Sequence, residues 1–297
     1  MLGRCLQAIG AAVTVLNIRV TAQLLDTRRD GTVFIATLFI LSSLGLLLGP
    51  LAAGGLVTLG GWRTIFVVLL LWGIANAVFQ VSLSANAPRS NETNICQAWG
   101  GEQVRGFLVC LQTRAVILPV ALNAASYWAF YGFAAGLPVV VSGLEREDPR
   151  LIGLLAAFSG VGAILGGLGA RRLARTWQAE RILSLGLCLT MGPLLLIPLI
   201  RLGSSEVTIA GLMLLGLFVG GTTGFVQPTA LISVMTIPGV RPITATALIG
   251  SIQILGGSIA SMVIPYLGKS PSVFAITLFS MIWVSGVLWI RLRPRVV

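Results

Sequence analysis

Runs of about twenty apolar residues follow one another along most of this chain, and that is the length an α-helix needs to cross a hydrocarbon core. Nine are legible, at 2–25, 33–59, 63–85, 115–142, 151–170, 182–202, 207–234, 243–265 and 272–291. Lipid offers no hydrogen-bond partners, so a backbone inside it must satisfy itself as a helix or a closed barrel. Barrel strands alternate in polarity residue by residue; these runs are continuous. The expected fold is therefore all-α, a polytopic membrane protein of about nine transmembrane helices. With 56% hydrophobic and 10% charged residues, the chain has too few charges to clothe a soluble domain of 297 residues.

The net charge of +11 is not a nucleic-acid footprint, because the basic residues lie mainly between spans. With the N-terminus outside, thirteen arginines fall on inside loops and the tail: Arg28, Arg29, Arg89, Arg105, Arg114, Arg171, Arg172, Arg175, Arg181, Arg241, Arg291, Arg293 and Arg295. Five basic residues fall outside: Arg63, Arg146, Arg150, Arg201 and Lys269. This positive-inside bias predicts an outside N-terminus and a cytoplasmic C-terminus in a cytoplasmic (inner) membrane. A first span that opens at residue 2 without a flank reads as though something precedes it. A signal peptide is the competing reading, but Asn17 and Arg19 interrupt the apolar run. Cys5, Cys96, Cys110 and Cys188 have no metal-ligand spacing, and no cofactor is implied.

The longest connection, 86–114, divides the chain into 1–85 with three spans and 115–297 with six. Within it Val104, Phe107, Leu108 and Leu111 recur at i, i+3, i+4 and i+7. That spacing predicts an amphipathic helix on the membrane surface or along the inner ends of the spans. The pair of spans at 2–59 weakly parallels the pair at 207–265, each with a glycine-dense helix, an arginine-bearing inside turn and a second small-residue helix. As a parallel repeat this matches the last three spans to the first three, a whole of six plus six less its first three.

The densest breaker cluster is "GLLLGPLAAGG" at 45–55. Helices in lipid associate by close backbone approach, which small residues permit. On a wheel Ser42, Gly45, Gly49, Ala52 and Ala53 fall within about 100°, predicting a smooth face against another helix, with Pro50 bending the axis. Generic packing is the plain reading of GLLLG alone. The series Gly45, Gly49, Pro50, Gly54 and Gly55, followed by "GWRTIF" at 61–66, resembles the antiporter motif on the fifth helix of the major facilitator superfamily. Upstream, "RCLQAIGAA" at 4–12 resembles that superfamily's fourth-helix motif, Arg-x-x-Gln-x-x-Gly, here Arg4, Gln7 and Gly10. Together they look most like the drug–proton antiporter branch, the bicyclomycin- and chloramphenicol-resistance type.

The resemblance implies a partial N-terminal bundle at 1–85 equivalent to helices four to six, a central cytoplasmic loop at 86–114, and a complete C-terminal bundle at 115–297. It implies that the bent helix seals one face of the transporter, and that Arg4 takes part in proton coupling; reaching the outer headgroups is the alternative for Arg4. "GARRLARTWQAER" at 169–181 resembles a degenerate second-half copy of the cytoplasmic Gly-x-x-x-Asp-Arg motif, without its aspartate. Asp26, Arg28, Arg29, Arg171, Arg172 and Arg175 are the gate candidates on that face; orientation near anionic headgroups is the alternative for the arginines. Two departures stand out. None of the nine acidic residues lies well inside a span, and Asp26 sits about two positions later than the acid expected at the inner end of the fourth helix.

Polar groups within spans are the remaining signal, because they normally face a cavity or snorkel. Arg19 is seven residues from Asp26 and either snorkels inward or faces the pathway. Asn123, Tyr127 and Tyr131 lie at i, i+4 and i+8; Gln227 precedes Pro228, and Gln253 lies inside 243–265. They either hydrogen-bond between helices or line a path for a moderately polar, partly aromatic solute. The expected function is efflux of small amphiphilic compounds by alternating access, proton-coupled in the full-length form. The alternative is a truncated, non-transporting remnant or membrane interaction subunit. With no histidine and no buried carboxylate pair, an intramembrane enzyme is disfavoured.

Overall fold

In a computed structural model, the residues described are 3, 10, 28–84, 101–144, 148–174, 176–189, 205–235, 237, 240, 242–266 and 270–292. Among them the regular elements are helices: α1 (Arg28–Gly60), α2 (Trp62–Ser84), α3 (Gly101–Gln112), α4 (Arg114–Ser142), α5 (Pro149–Leu173), α6 (Ala179–Leu189), α7 (Ser205–Met235), α8 (Pro242–Val263) and α9 (Pro271–Leu292). Six carry stretches long and apolar enough to span a membrane: Thr37–Gly60, Trp62–Ser82, Arg114–Ser142, Pro149–Leu173, Glu206–Met235 and Thr244–Tyr266. The protein is an all-helical, multi-pass membrane protein. The runs at 182–202 and 272–291 coincide with α6 and α9, the former over its described part. The run at 2–25 lies outside the described residues except for Gly3 and Gly10, both helical.

Short connections make sequential helices antiparallel. Gly61, at φ +74°, turns α1 into α2 in a left-handed conformation that only glycine adopts without strain. Asp148 caps α5, its Oδ1 accepting the Arg150 backbone N–H at 2.9 Å, and Pro149 stands in the first turn, where its missing N–H costs nothing. The end where α5 finishes with Arg171 and Arg172 and where α1 and α4 begin is here termed the basic end.

The main core lies among α4, α5, α7, α8 and α9, around Phe133, Leu137, Leu155, Leu212, Leu215 and Leu278. Lipid removes the hydrophobic drive between helices, so this core is held by contact density. Glycine sets that density. On α5, Gly153, Gly160 and Gly167 recur every seven residues and face α1. Gly162 and Gly166, about 120–160° away, face α7, and α7 answers with Gly216, Gly220 and Gly224. An added Cβ at Gly224 would stand 2.9 Å from the Gly167 backbone nitrogen, and at Gly160 2.5 Å from Leu47 Cα. α5 is thus packed backbone-close on two opposite sides.

The contact face of α1 is not the predicted one. Gly45, Gly49 and Ala52 are exposed, and among the described residues nothing lies within 4 Å of a Cβ placed on Gly45, Gly49 or Gly55. The face against α5 is Phe39, Leu47, Pro50 and Gly54, with Ser43 wholly buried, rotated by one residue from the glycine stripe. The reason is geometric. Close approach needs one small residue per contact, and α5 supplies it, so the Phe39 ring lies over Gly167 and the Leu46–Leu47 backbone over Gly160. Pro50 and Gly54 of the expected set do lie at the contact.

α3 forms as expected, but its buried face is Gly106, Phe107 and Cys110 against α8, rather than Leu108 and Leu111, which are exposed. Gly106 sits against Thr244, and Cys110 joins Val116, Val234, Ala245 and Ile249 at the basic end. Desolvation raises the Cys110 thiol above its ordinary range, which lowers its thiolate fraction at neutral pH. With Cys110 as sole cysteine, alkylation at pH 7 is expected to run at least about tenfold slower in the folded protein than in denaturant. The rate rises with pH past the usual thiol range, which a maleimide time course at several pH values reads directly.

Candidate functional site

Still packed on α5, α1 faces α4, α7 and α8 across a cavity of about 330 Å³. α1 contributes Leu38, Phe39, Ser42, Ser43 and Leu46; α4 contributes Tyr127, Phe130 and Tyr131. Gln227, Pro228, Leu231 and Met235 come from α7, and Thr246, Gly250, Gln253 and Ile254 from α8. These positions fall in the middle of the helices and in the half nearer the basic end. The volume lies at the lower end of the range for small-molecule sites, about 300–1,000 Å³.

One wall is aromatic. The rings of Tyr127, Phe130 and Tyr131 lie 5.8–6.2 Å apart, Phe130 and Tyr131 edge to face. Gly256 and Gly257 of α8 set its position: the Trp128 indole and the Tyr131 ring occupy the space their side chains would take. Trp128 Nε1 also donates to the Ile252 carbonyl at 3.4 Å.

The polar groups predicted in the spans come together here and pair across helices. The Tyr127 hydroxyl donates to Gln227 Oε1. Asn123 Nδ2 donates to Gln253 Oε1 at 3.4 Å. Interhelical bonding and cavity lining, alternatives from sequence, are both present in Tyr127, Gln227 and Gln253. Asn123 sits one layer behind, 0% exposed, and its Oδ1 has no hydrogen-bond partner. Such bonds contribute about 0.6 kcal/mol each in a bilayer, whereas overpacking costs about 1–3 kcal/mol. The glycine contacts therefore position the helices, and the hydrogen bonds orient the side chains.

Beyond the cavity, toward the end away from Arg171, α1 and α5 stay in contact. A Cβ at Gly153 would meet the Pro50 carbonyl at 2.5 Å, and one at Gly54 the Pro149 carbonyl at 2.8 Å. Arg150 Nε and Nη2 reach Thr58 Oγ1 at 3.4 and 3.3 Å.

A helical membrane bundle with a central cavity between α1 and the bundle that follows the long connection is the setting for one comparison. The family model described as Major Facilitator Superfamily matches residues 1–261. The chain belongs to the major facilitator superfamily. A search among curated proteins finds no match. Members of the superfamily are membrane transporters, so this chain's activity is membrane transport of a small molecule, with lipid as its surroundings.

The other sequence candidates are distributed as follows. Arg171 and Arg172 are exposed in the last turn of α5, and Arg28 and Arg29 open α1. Arg4, Gln7, Arg19, Asp26 and Arg175 lie outside the described residues. The sequence reading missed Gly153, Gly160 and Gly167, although their sevenfold spacing was the available signal. It also missed Gly256 and Gly257 as the cradle of the aromatic wall, and the Thr58–Arg150 contact, whose residues look like ordinary loop-end polar groups.

Proposed function

We propose that the chain exports small amphiphilic compounds across the cytoplasmic membrane by alternating access, coupled to proton entry, as in the drug–proton antiporter branch. The observation that carries this is where the cavity lies along α1. Between its middle and the basic end α1, packed on α5 at Phe39 and Leu47, also borders an aromatic cavity; beyond it, Pro50 and Gly54 lie backbone-close on α5 at Gly153 and Pro149. With the basic end inside, as the distribution of arginines favours, that arrangement is an inward-facing state able to take a solute from the cytosol or inner leaflet. The Pro50–Gly54 stretch of the antiporter motif lies on the sealed part, in keeping with a closing role. Coupling is not assigned to a described carboxylate: Asp30, Glu102, Asp148, Glu180 and Glu206 all stand at helix ends or in α3. In the same reading the spans within 1–85 stand for the fourth to sixth helices of a six-plus-six arrangement; reading upstream of residue 1 for three in-frame spans tests that.

The functional test is retention of an amphiphilic dye in cells expressing the chain, with and without such an upstream segment, against empty vector. Retention below the vector control, restored by a protonophore, is the expected result. Retention equal to the control in every strain overturns efflux of that dye, and efflux indifferent to the protonophore overturns proton coupling.

A further inference from the structure

We propose that the cavity selects neutral aromatic compounds bearing hydrogen-bond acceptors, and that Gln227 and Gln253 are the residues that impose this choice. The inference deepens the transport reading above and rests on it for the direction of movement, but not for binding.

The argument turns on how each amide is held. A glutamine offers one carbonyl oxygen and one NH2, and what it shows a ligand depends on which is already engaged. The carbonyl of Gln227 is taken by the Tyr127 hydroxyl. The carbonyl of Gln253 is taken by the Asn123 amide, which is wholly buried and cannot turn to water for another partner. Both glutamines line the cavity; with each carbonyl already accepting one hydrogen bond and holding the amide in place, the NH2, with two donors, is the group each chiefly offers a ligand. The two pins come from successive turns of α4, Asn123 and Tyr127, while the glutamines come from different helices, α7 and α8. The same sorting is thus imposed twice, from independent directions.

The rest of the lining is neutral. The hydroxyls of Ser42 and Ser43 spend their protons on the carbonyls of Leu38 and Phe39, so they add uncharged acceptors to the wall and leave donation to the amides. No described lining residue carries a formal charge. Desolvating a cation there costs several kcal/mol with no anion to offset it, whereas a ketone or amide oxygen finds two amide donors and its ring finds Tyr127, Phe130 and Tyr131. A site built to donate also discriminates strongly, because a ligand without an acceptor leaves buried N–H groups unpaired.

Nile red and Nile blue test this. They share a fused aromatic skeleton, but the first carries a neutral ring carbonyl where the second carries a cationic nitrogen with N–H donors. Binding is measured on the full chain in lipid nanodiscs, with empty nanodiscs subtracted. Nile red is expected to bind at least about tenfold tighter than Nile blue. Gln253→Glu and Gln227→Glu each replace a donor by acceptor oxygens and are expected to reverse that order. Gln253→Met and Gln227→Met, which remove the donor without adding charge, are expected to weaken Nile red without strengthening Nile blue. They keep the test open if a glutamate variant does not fold.

Equal binding of the two dyes, tighter binding of Nile blue by the unsubstituted protein, or binding of neither overturns the proposal. An order unchanged by all four folded variants overturns the assignment to the glutamines. If Nile red binds selectively while cells expressing the chain retain it like the vector control, selectivity stands and the efflux reading fails.

Discussion

Gly220→Ala is expected to lower the melting temperature of the purified protein by about 6–12 °C, corresponding to roughly 3 kcal/mol in a chain of this size. A Cβ at Gly220 falls inside contact distance of the Ser159 carbonyl oxygen, with Ser159 C and Cα at 2.7 and 2.9 Å. Every one of those atoms is backbone, so no side-chain rotation relieves the overlap. α5 and α7 must separate, and in separating they loosen the neighbouring contacts at Gly162, Gly166 and Gly224. Gly45→Ala is the control that makes the result specific. Its Cβ meets nothing within 4 Å among the described residues, and alanine is the better helix former by about 1 kcal/mol. That variant is expected to melt at or slightly above the parent temperature. Equal losses in the two variants would dismiss the glycine ladder as the source of the bundle's order.

Gly153→Leu is expected to leave the bundle folded but unable to shut at the end away from Arg171. The added side chain enters between the Pro50 carbonyl and Gly54 Cα, 2.5 and 3.4 Å from the Cβ position. A wedge costing about 1–3 kcal/mol in the sealed state shifts its equilibrium with an open one by about 5–150-fold. The exposed Thr58–Arg150 contact is worth at most about 1 kcal/mol and does not compensate. Ser42 borders the cavity, so Ser42→Cys, in a background without the four native cysteines, reports access. An impermeant maleimide added at the sealed end should label it at least about fivefold faster in the Gly153→Leu background. Thr58→Val should change the rate far less. No acceleration in Gly153→Leu means that the α1–α5 contact is not what bars that end.

Much of the fold was legible because it follows from a length rule. A run of twenty apolar residues admits few alternatives in lipid, and 115–142, 151–170, 207–234 and 243–265 reappear as α4, α5, α7 and α8 within a few residues. Polar side chains in such runs are equally visible, and Asn123, Tyr127, Gln227 and Gln253 do meet. What was not legible is the rotation of α1 about its own axis. A stripe of small residues marks a face that permits contact, yet the contact needs smallness on one partner alone. Gly45 and Gly49 permit an approach that nothing among the described residues makes, while Leu47 is accepted because Gly160 is its neighbour. The orientation of each amide was hidden for a similar reason, since it depends on a residue a hundred or more positions away.

The two opposed glycine faces of α5 also bear on how the chain is made. One partner, α1, leaves the ribosome long before α5; the other, α7, follows it by some sixty residues, Leu155 meeting Gly216 and Ser159 meeting Gly220. During the interval one flank of α5 has acyl chains for company, and a glycine-lined helix without its neighbour is a poor one in its own right. Translation that stalls before α7 emerges therefore leaves a half-docked hairpin in the bilayer, the kind of orphan that membrane quality-control proteases encounter.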